Sequence, residues 1–335
     1  MPTVGGLVRM LGAAAVLGAL IVGCGQSDEK KDPDKVIKDN GVSQFKGSGG
    51  PITSTVGVSL LTLANPFFKT MGDAMVAEGK KHNIEVIVQA GEMDASKQSD
   101  QVNDFIVKGV SAIILSPCDS RGVGTTIQAA NKANIPVFTA DIANLDTQAR
   151  VVSHVATDNY EGGKLAAKAI IEATGGKGKV AIIDHPEVES VIQRTKGFKE
   201  VISGAPGIQI VAQLPGHGQR DTSFKTAQDI LEKNPNLDAI FCINDPTALG
   251  AVAAIEKAGK AGKIKVIGFD GIDEAKKAVK DGKIYADVVQ FPDKIGEMTI
   301  QGIAKYLNGE KLPSETLIPA ALYTKADADK DPKIK

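Results

Sequence analysis

The sequence predicts an α/β protein of two similar, doubly wound parallel-sheet lobes. Three observations carry this. Short apolar runs rich in β-branched residues alternate with amphipathic segments of helical period. One such unit recurs in plan in the second half of the chain. Finally, 335 residues, 42% hydrophobic and 24% charged, are more than one hydrophobic core usually holds.

The N-terminus stands apart from that fold. "MPTVGGLVR" carries one positive charge, at Arg9, and leads into "MLGAAAVLGALIVG". This apolar run is short for a membrane span but suits the core of a signal peptide, here residues 1–23. Gly23 before Cys24 resembles a bacterial lipobox, in which Cys24 is lipidated and becomes the mature N-terminus. An ordinary secretory signal with an incidental Cys is the alternative, and either one exports the chain. Residues 24–52 are dominated by charged residues, Gly, Ser and Pro. Such a stretch buries too little apolar surface to offset its ordering entropy, so a flexible tether is expected.

From residue 53 the strand-like runs are, in order, "TVGVSLL", "IEVIVQA", "SAIILS", "IPVFTA", "VVSHVAT", "KVAIID", "IQIVAQ", "AIFCIN", "KVIGFD" and "ADVVQF". They are short and continuous, as in strands covered on both faces by helices. Between them lie helix-like segments such as "DASKQSDQVNDFIVKG", "YEGGKLAAKAIIEATGG" and "DTSFKTAQDILEKNP". This βαβ rhythm argues open parallel sheets, with units enough for two.

The repeat locates a candidate site. "VSAIILSPCDSRGVGTTIQAANKANIPVFTAD" matches "LDAIFCINDPTALGAVAAIEKAGKAGKIKVIGFD" in plan: strand, polar strand end, helix, strand, acid. Ser116 and Asn244 hold equivalent strand ends, and Asp141 and Asp270 hold the next ones. Open α/β sheets bind ligands beyond the carboxyl ends of their strands. Any one of these residues could simply cap a helix or a turn; their matched occurrence in both halves favours a shared cleft. Phe67 and Phe68 stand beyond the first strand end, in a chain with only 4% aromatics. An aromatic ring packs on the C–H face of a sugar, while Asp and Asn suit its hydroxyls. Both rings could instead be core, or one could line the cleft while the other anchors the helix.

Other function classes find little support. A net charge of −1 and the lack of a basic cluster with interleaved aromatics give no reason to expect nucleic acid. "GVGTTI" is no dinucleotide fingerprint, "TGGKGK" is no P-loop, and no G-x-S-x-G occurs. No His/Cys cluster has metal-ligand spacing, so neither metal nor cofactor is expected. Cys118 and Cys242, in different halves, read as two partly buried free thiols, with a disulfide between them as the alternative. An enzyme is not expected.

Taken together, "LANPFF", "SPCDS", "IPVFTAD", "VVSHVATDN", "RTKGF", "FCINDPTALGA", "VIGFDG" and "VQFPDKIG" resemble the ribose-binding family of periplasmic sugar-binding proteins, of the type I periplasmic binding fold. The resemblance covers about residues 53 to 320, with the motifs in order. It implies two lobes that close on one small sugar and present it to the permease of an ABC importer. A monomer held at the membrane by its lipid anchor alone is expected. A receptor that hands its closed form to a membrane sensor would use the same cleft. The resemblance also implies three crossings between lobes, near Ala156–Asp158, Gln290–Phe291 and Ala320–Tyr323. The lobes would be 53–156 plus 291–319 and 157–290 plus 320–335.

Residue by residue, the ligand contacts of the family fall on Asn65, Phe67, Phe68, Ser116, Asp141, Arg194, Asn244, Phe269, Asp270 and Gln290. On sequence alone, a surface helix arginine is the favoured reading of Arg194, and only the resemblance makes it a ligand contact. Two positions depart from ribose binders. Ile142 stands where they have Arg, and Gly218 falls where a second stacking ring is common, which should open space on one face unless His217 or a shifted residue fills it. Ile142 thus becomes an apolar candidate contact, and a deoxysugar, a polyol or another pentose or hexose becomes as reasonable as ribose.

Overall fold

The computed structural model describes residues 54–335. The signal peptide, Cys24 and the tether lie outside the described residues. The first half runs β1 (Ser54–Leu60), α1 (Pro66–Lys81), β2 (Ile84–Ala90), α2 (Ala95–Lys108), β3 (Ala112–Leu115), α3 (Gly124–Lys132), β4 (Val137–Ala140) and β5 (His154–Thr157). The second runs α4 (Asn159–Thr174), β6 (Gly178–Asp184), α5 (Glu189–Ser203), β7 (Ile208–Pro215), α6 (Arg220–Lys233), β8 (Ala239–Cys242), α7 (Asp245–Lys257), β9 (Lys265–Asp270), α8 (Asp273–Lys280) and β10 (Ala286–Val289). The chain ends with α9 (Pro292–Leu307), β11 (Glu315–Ile318), β12 (Ala321–Thr324) and α10 (Lys325–Ala328).

The strands form two six-stranded sheets, ordered β11-β5-β4-β3-β1-β2 and β12-β10-β9-β8-β6-β7. The second order is the first displaced by one repeat, so the internal repeat of the sequence is a repeat of topology. The closing strands break the symmetry: β11 runs parallel to β5, whereas β12 runs antiparallel to β10. All ten strand-like runs are strands. The two added ones, β11 and β12, are mostly half-buried or exposed. An edge strand of that kind has no continuous apolar run to announce it.

Each sheet is covered on both faces, which is why strands such as β3, β4 and β8 are buried along their whole length. In the first lobe α2 and α3 pack on one face around Phe105, Ile113 and Ile127. In the second, α6, α7 and α8 pack around Ile230, Ile240 and Ala275. The other faces carry α1 with α9 and α4 with α5, including Met71, Ile300, Ile170 and Phe198. The chain passes between sheets after β5, between β10 and α9, and at Pro319–Ala320. Cys118 and Cys242 are both buried free thiols.

The approach of α4 to α5 sets the position of Arg194 on α5. Gly163 lies against the carbonyl of Arg194, and Gly197 against that of Tyr160; a Cβ at either position would collide with backbone. Two glycines facing opposite backbones let these helices touch. Gly197→Ala should therefore destabilise the protein by about 1–3 kcal/mol despite the better helix propensity of Ala. Urea unfolding measures this, and an unchanged or raised midpoint would contradict the contact.

Candidate functional site

Both sheets reverse their strand order between neighbours β1/β3 and β6/β8, the position where loops part and leave a crevice. The carboxyl ends of the two sheets meet there across a small cavity of about 30 Å³. Leu61, Phe67, Phe68, Asp141 and Ile142 line it from the first lobe. Arg194, Asn244 and Asp270 line it from the second, with Gln290 at the crossing.

Local sequence places each of these groups. Asn65 caps α1 by accepting from Phe67 N (3.0 Å), and Pro66 follows at the first helical turn. This fixes Phe67 and Phe68, 3% and 5% exposed, as an edge-to-face pair with ring centroids 5.2 Å apart. Asn244 likewise caps α7, accepting from Thr247 N at 3.0 Å, while its amide donates to the Gly218 carbonyl (3.1 Å). Asp141 and Asp270, at equivalent strand ends, both adopt positive φ, 65° and 124°. A non-glycine residue held there costs of order 1–3 kcal/mol, and the repetition in both lobes marks a shared constraint.

Arg194 is the central cation. It is 3% exposed, so it is no surface arginine. Its Nε donates to Asn159 Oδ1 (2.8 Å) and its Nη1 to the Ile243 carbonyl (2.7 Å). The guanidinium carbon lies 3.8 Å from the centroid of the Phe269 ring. Asp270 Oδ1 is 3.6 Å from Nη1 and accepts from Gln290 Nε2 at 2.8 Å. Its Oδ2 accepts from Asn65 Nδ2 across the cleft at 3.0 Å. Both oxygens of Asp270 are thus engaged by protein donors. Asp141 differs: its Oδ1 has no partner among the described residues, and neither has Gln290 Oε1. Burial pushes the Asp141 carboxyl up to about 7, against the pull of Arg194 and with the charges of Asp270 and Glu189 adding to the rise. Burial also raises Asp270, opposed by Arg194, Asn65 and Gln290.

Three of the expected contacts do not line this cavity. Phe269 lies behind it as the shelf under Arg194. Ser116 is fully buried, with Oγ donating to the Ala140 carbonyl (2.8 Å). Asn65 faces a wider cleft at the rim, which it shares with Glu92, Arg220 and Glu274. Ile142, 1% exposed, does form part of the wall.

Sequence reasoning missed His185, Val188, Ser190, Val191 and Ile243 as lining residues. Residues 190, 191 and 194 share one face of α5, so helical spacing back from Arg194 could have found them. The space expected at Gly218 is filled. Its φ is 65°, and a Cβ there would meet Asn244 Nδ2 at 3.1 Å and His185 Nδ1 at 3.2 Å. His185, rather than His217, takes that volume. His185, Glu187 and His217, which no sequence spacing links, come together at the lip of the cleft. Thirty-two positions separate His185 from His217, as 217 minus 185 shows, so no local spacing reveals them. Neighbouring strands β6 and β7 bring their loops side by side.

This fold and cleft define a solute-binding protein of two lobes. Residues 56–311 match the periplasmic binding protein domain family, to which the chain belongs. It is 35% identical over 272 residues to the ribose import binding protein of Salmonella typhimurium, covering 81% of this chain and 90% of the relative. It is 34% identical over 278 residues to the ribose import binding protein of Bacillus subtilis, covering 83% and 89%. A solved solute-binding protein from Agrobacterium vitis with bound D-fucose superposes with a TM-score of 0.78 at 33% identity, covering 82% of this chain and 97% of that one. These relatives place the chain among the sugar-binding periplasmic proteins of ABC transporters.

Behind Asp270 lie two further buried acids, Asp245 and Asp287. Asp245 Oδ2 accepts from Gly271 N (2.9 Å) and Ile272 N (2.8 Å), holding the turn after β9. Gly268 leaves room for the pair, since a Cβ there would come 2.8 Å from Asp245 Oδ1 and 3.1 Å from Asp287 Oδ1. Burial and the charge of Asp270 lift Asp287 to about 7. Its folded pKa therefore lies above the unfolded value. The stability this group contributes is full below the unfolded pKa and is lost as pH rises through 7. Asp287→Asn should gain on wild type by about 1 kcal/mol per pH unit between about pH 4 and pH 7, with the difference levelling off above pH 7 and changing little below pH 4. Urea unfolding of both proteins across pH 4 to 8.5 tests this; a difference independent of pH would refute it.

Proposed function

We propose that the chain is an exported lipoprotein that captures a monosaccharide or related polyol between its lobes and delivers it to an ABC importer, acting as a binding protein and not as an enzyme. One observation carries the ligand reading. A buried cavity between two strand-end loop sets joins an aromatic pair to acceptors, Asp141 Oδ1 and Gln290 Oε1, that lack partners among the described residues. Leaving a buried acceptor unmatched costs about 1–3 kcal/mol, and a sugar hydroxyl supplies the missing donor. In this reading Phe67 and Phe68 face the C–H surface, while Arg194 and Asn244 serve further hydroxyls. Asp270 acts chiefly as a cross-cleft tie through Asn65, and Phe269 and Ser116 support the site from behind. Residues 53–156 with 291–319 and 157–290 with 320–335 act as the closing lobes. Chain export and lipidation at Cys24 rest on the sequence of the first 24 residues.

Ile142 refines the ligand. It is part of the wall and cannot donate a side-chain hydrogen bond where the ribose-binding pattern has Arg. A ligand bearing hydrogen or methyl at that point leaves nothing unsatisfied, in keeping with the 6-deoxysugar D-fucose held by the Agrobacterium vitis relative. Ribose import relatives argue for the same general frame of hydroxyl contacts.

Four outcomes test this. In a thermal-shift panel of D-ribose, D-allose, D-fucose, L-arabinose and myo-inositol, one sugar or polyol should raise the melting temperature, because a ligand of the folded state stabilises it. Calorimetry should find that ligand bound at least roughly tenfold tighter than D-ribose, with Ile142→Arg narrowing the gap; a clear preference for D-ribose refutes the role of Ile142. Asp141→Ala should weaken binding by roughly ten- to a hundredfold and Asp141→Asn less, since bonds to charged acceptors contribute about 1.5–3 kcal/mol. A change under about twofold for Ala would remove Asp141 from the site. For the anchor, mass spectrometry should find an acylated Cys24 peptide that Cys24→Ser abolishes.

A further inference from the structure

We infer that His185, Glu187 and His217 form a binding site for a divalent transition-metal ion of the zinc type, on the second-lobe lip of the cleft. Glu187 Oε2 lies 3.6 Å from His185 Nε2 and 3.4 Å from His217 Nδ1. The three atoms lie within 4.8 Å of one another. Zinc binds imidazole nitrogen at about 2.0–2.1 Å and carboxylate oxygen at about 2.0–2.2 Å, so tetrahedral ligands stand roughly 3.4 Å apart. Both distances to Glu187 are near that spacing. Closing the remaining gap between the rings needs only a swing of His217, whose side chain is 44% exposed.

Two further features separate this cluster from an accidental meeting of polar side chains. Glu187 Oε2 is shielded from solvent and has no hydrogen-bond partner among the described residues. A shielded carboxylate oxygen between two imidazoles is set for a cation. The backbone that carries the ligands is also fixed in advance. The Asp184 carboxylate accepts from His185 N (2.8 Å), and its carbonyl accepts from Gly216 N (2.8 Å) and His217 N (3.2 Å). One residue at the end of β6 thus registers both histidine loops. From the opposite lobe, Ser120 N donates to the Glu187 carbonyl (3.0 Å), and Ser120 Oγ accepts from Glu189 N (2.9 Å). Two imidazoles and one carboxylate favour zinc, nickel, cobalt or copper over magnesium or calcium, which take oxygen ligands. Three protein ligands with a solvent-facing side leave a fourth position for water.

The test uses untagged full-chain protein freed of metal by chelator and then dialysed, with no sugar present, so its outcome is independent of the ligand reading. Titration calorimetry with zinc chloride should show one equivalent bound. His217→Ala and Glu187→Gln should each weaken it at least tenfold. His82→Ala, which removes the histidine facing Glu78 at 3.1 Å, should leave it unchanged. Cobalt should give the visible absorption bands of a tetrahedral site, lost in His217→Ala. Glu187→Gln, a half-exposed and nearly isosteric change, keeps the test valid if a histidine variant folds poorly. Absence of a saturable one-equivalent isotherm, equal binding by wild type and Glu187→Gln, or loss of binding in His82→Ala would each overturn the inference.

Discussion

The site is organised around the need to keep one guanidinium inside the protein. Arg194 is 3% exposed, and burial alone lowers its pKa. Breaking the compensation of such a buried charge typically costs about 3–5 kcal/mol. The surrounding structure supplies the compensation from several directions: an amide oxygen from Asn159, a carbonyl from Ile243, a carboxylate from Asp270 and the face of Phe269. These groups come from α4, the end of β8 and the end of β9. The ends of these two neighbouring central strands and the α4–α5 contact must therefore be correctly placed for the charge to be tolerated.

The same cation sets the behaviour of the acids. Asp141 and Asp270 both feel Arg194 and both are desolvated, yet their outcomes differ. Asp270 is tied by Asn65 and Gln290 and has no spare acceptor atom. Asp141 keeps a bare oxygen, and its carboxyl rises to about 7. Topological symmetry between the lobes thus produces two matched strand-end acids that do different work, one joining the lobes and one facing the cavity. The Asn65–Asp270 bond and the Ser120 contacts with Glu187 and Glu189 span the cleft from opposite lobes. These directional polar bonds join the lobes beside apolar residues of both, Phe67, Phe68 and Ile142 with Val188, Val191 and Ile243, that share one buried cluster.

Much of this was legible in the chain itself. Strands packed under helices are mainly apolar, and even the half-buried edge strands β2 and β7 keep β-branched runs, so all ten declared themselves; the recurrence of the strand–helix–strand–acid plan announced equivalent positions in two sheets. Eight of the predicted contacts, Phe67, Phe68, Asp141, Ile142, Arg194, Asn244, Asp270 and Gln290, line the cavity because strand ends converge wherever open sheets reverse their order. Asn65 and Asn244 kept their local capping role and gained a long-range one, since the amide nitrogen remains free when the oxygen caps.

Residue order by itself determined the fold class, the repeat and the polar strand ends, because each depends on period and local backbone preference. Only the tertiary structure decided which of those polar groups were already satisfied. Ser116 spends its hydroxyl on Ala140, and Phe269 turns inward beneath Arg194; neither fact has a signature in sequence. The filling of the Gly218 space by His185, and the meeting of His185 with Glu187 and His217, likewise required β6 and β7 to lie side by side. Chain periodicity reports which face of an element is buried. It carries no information about which distant loop will occupy the space in front of that face, because that depends on how the sheets are joined.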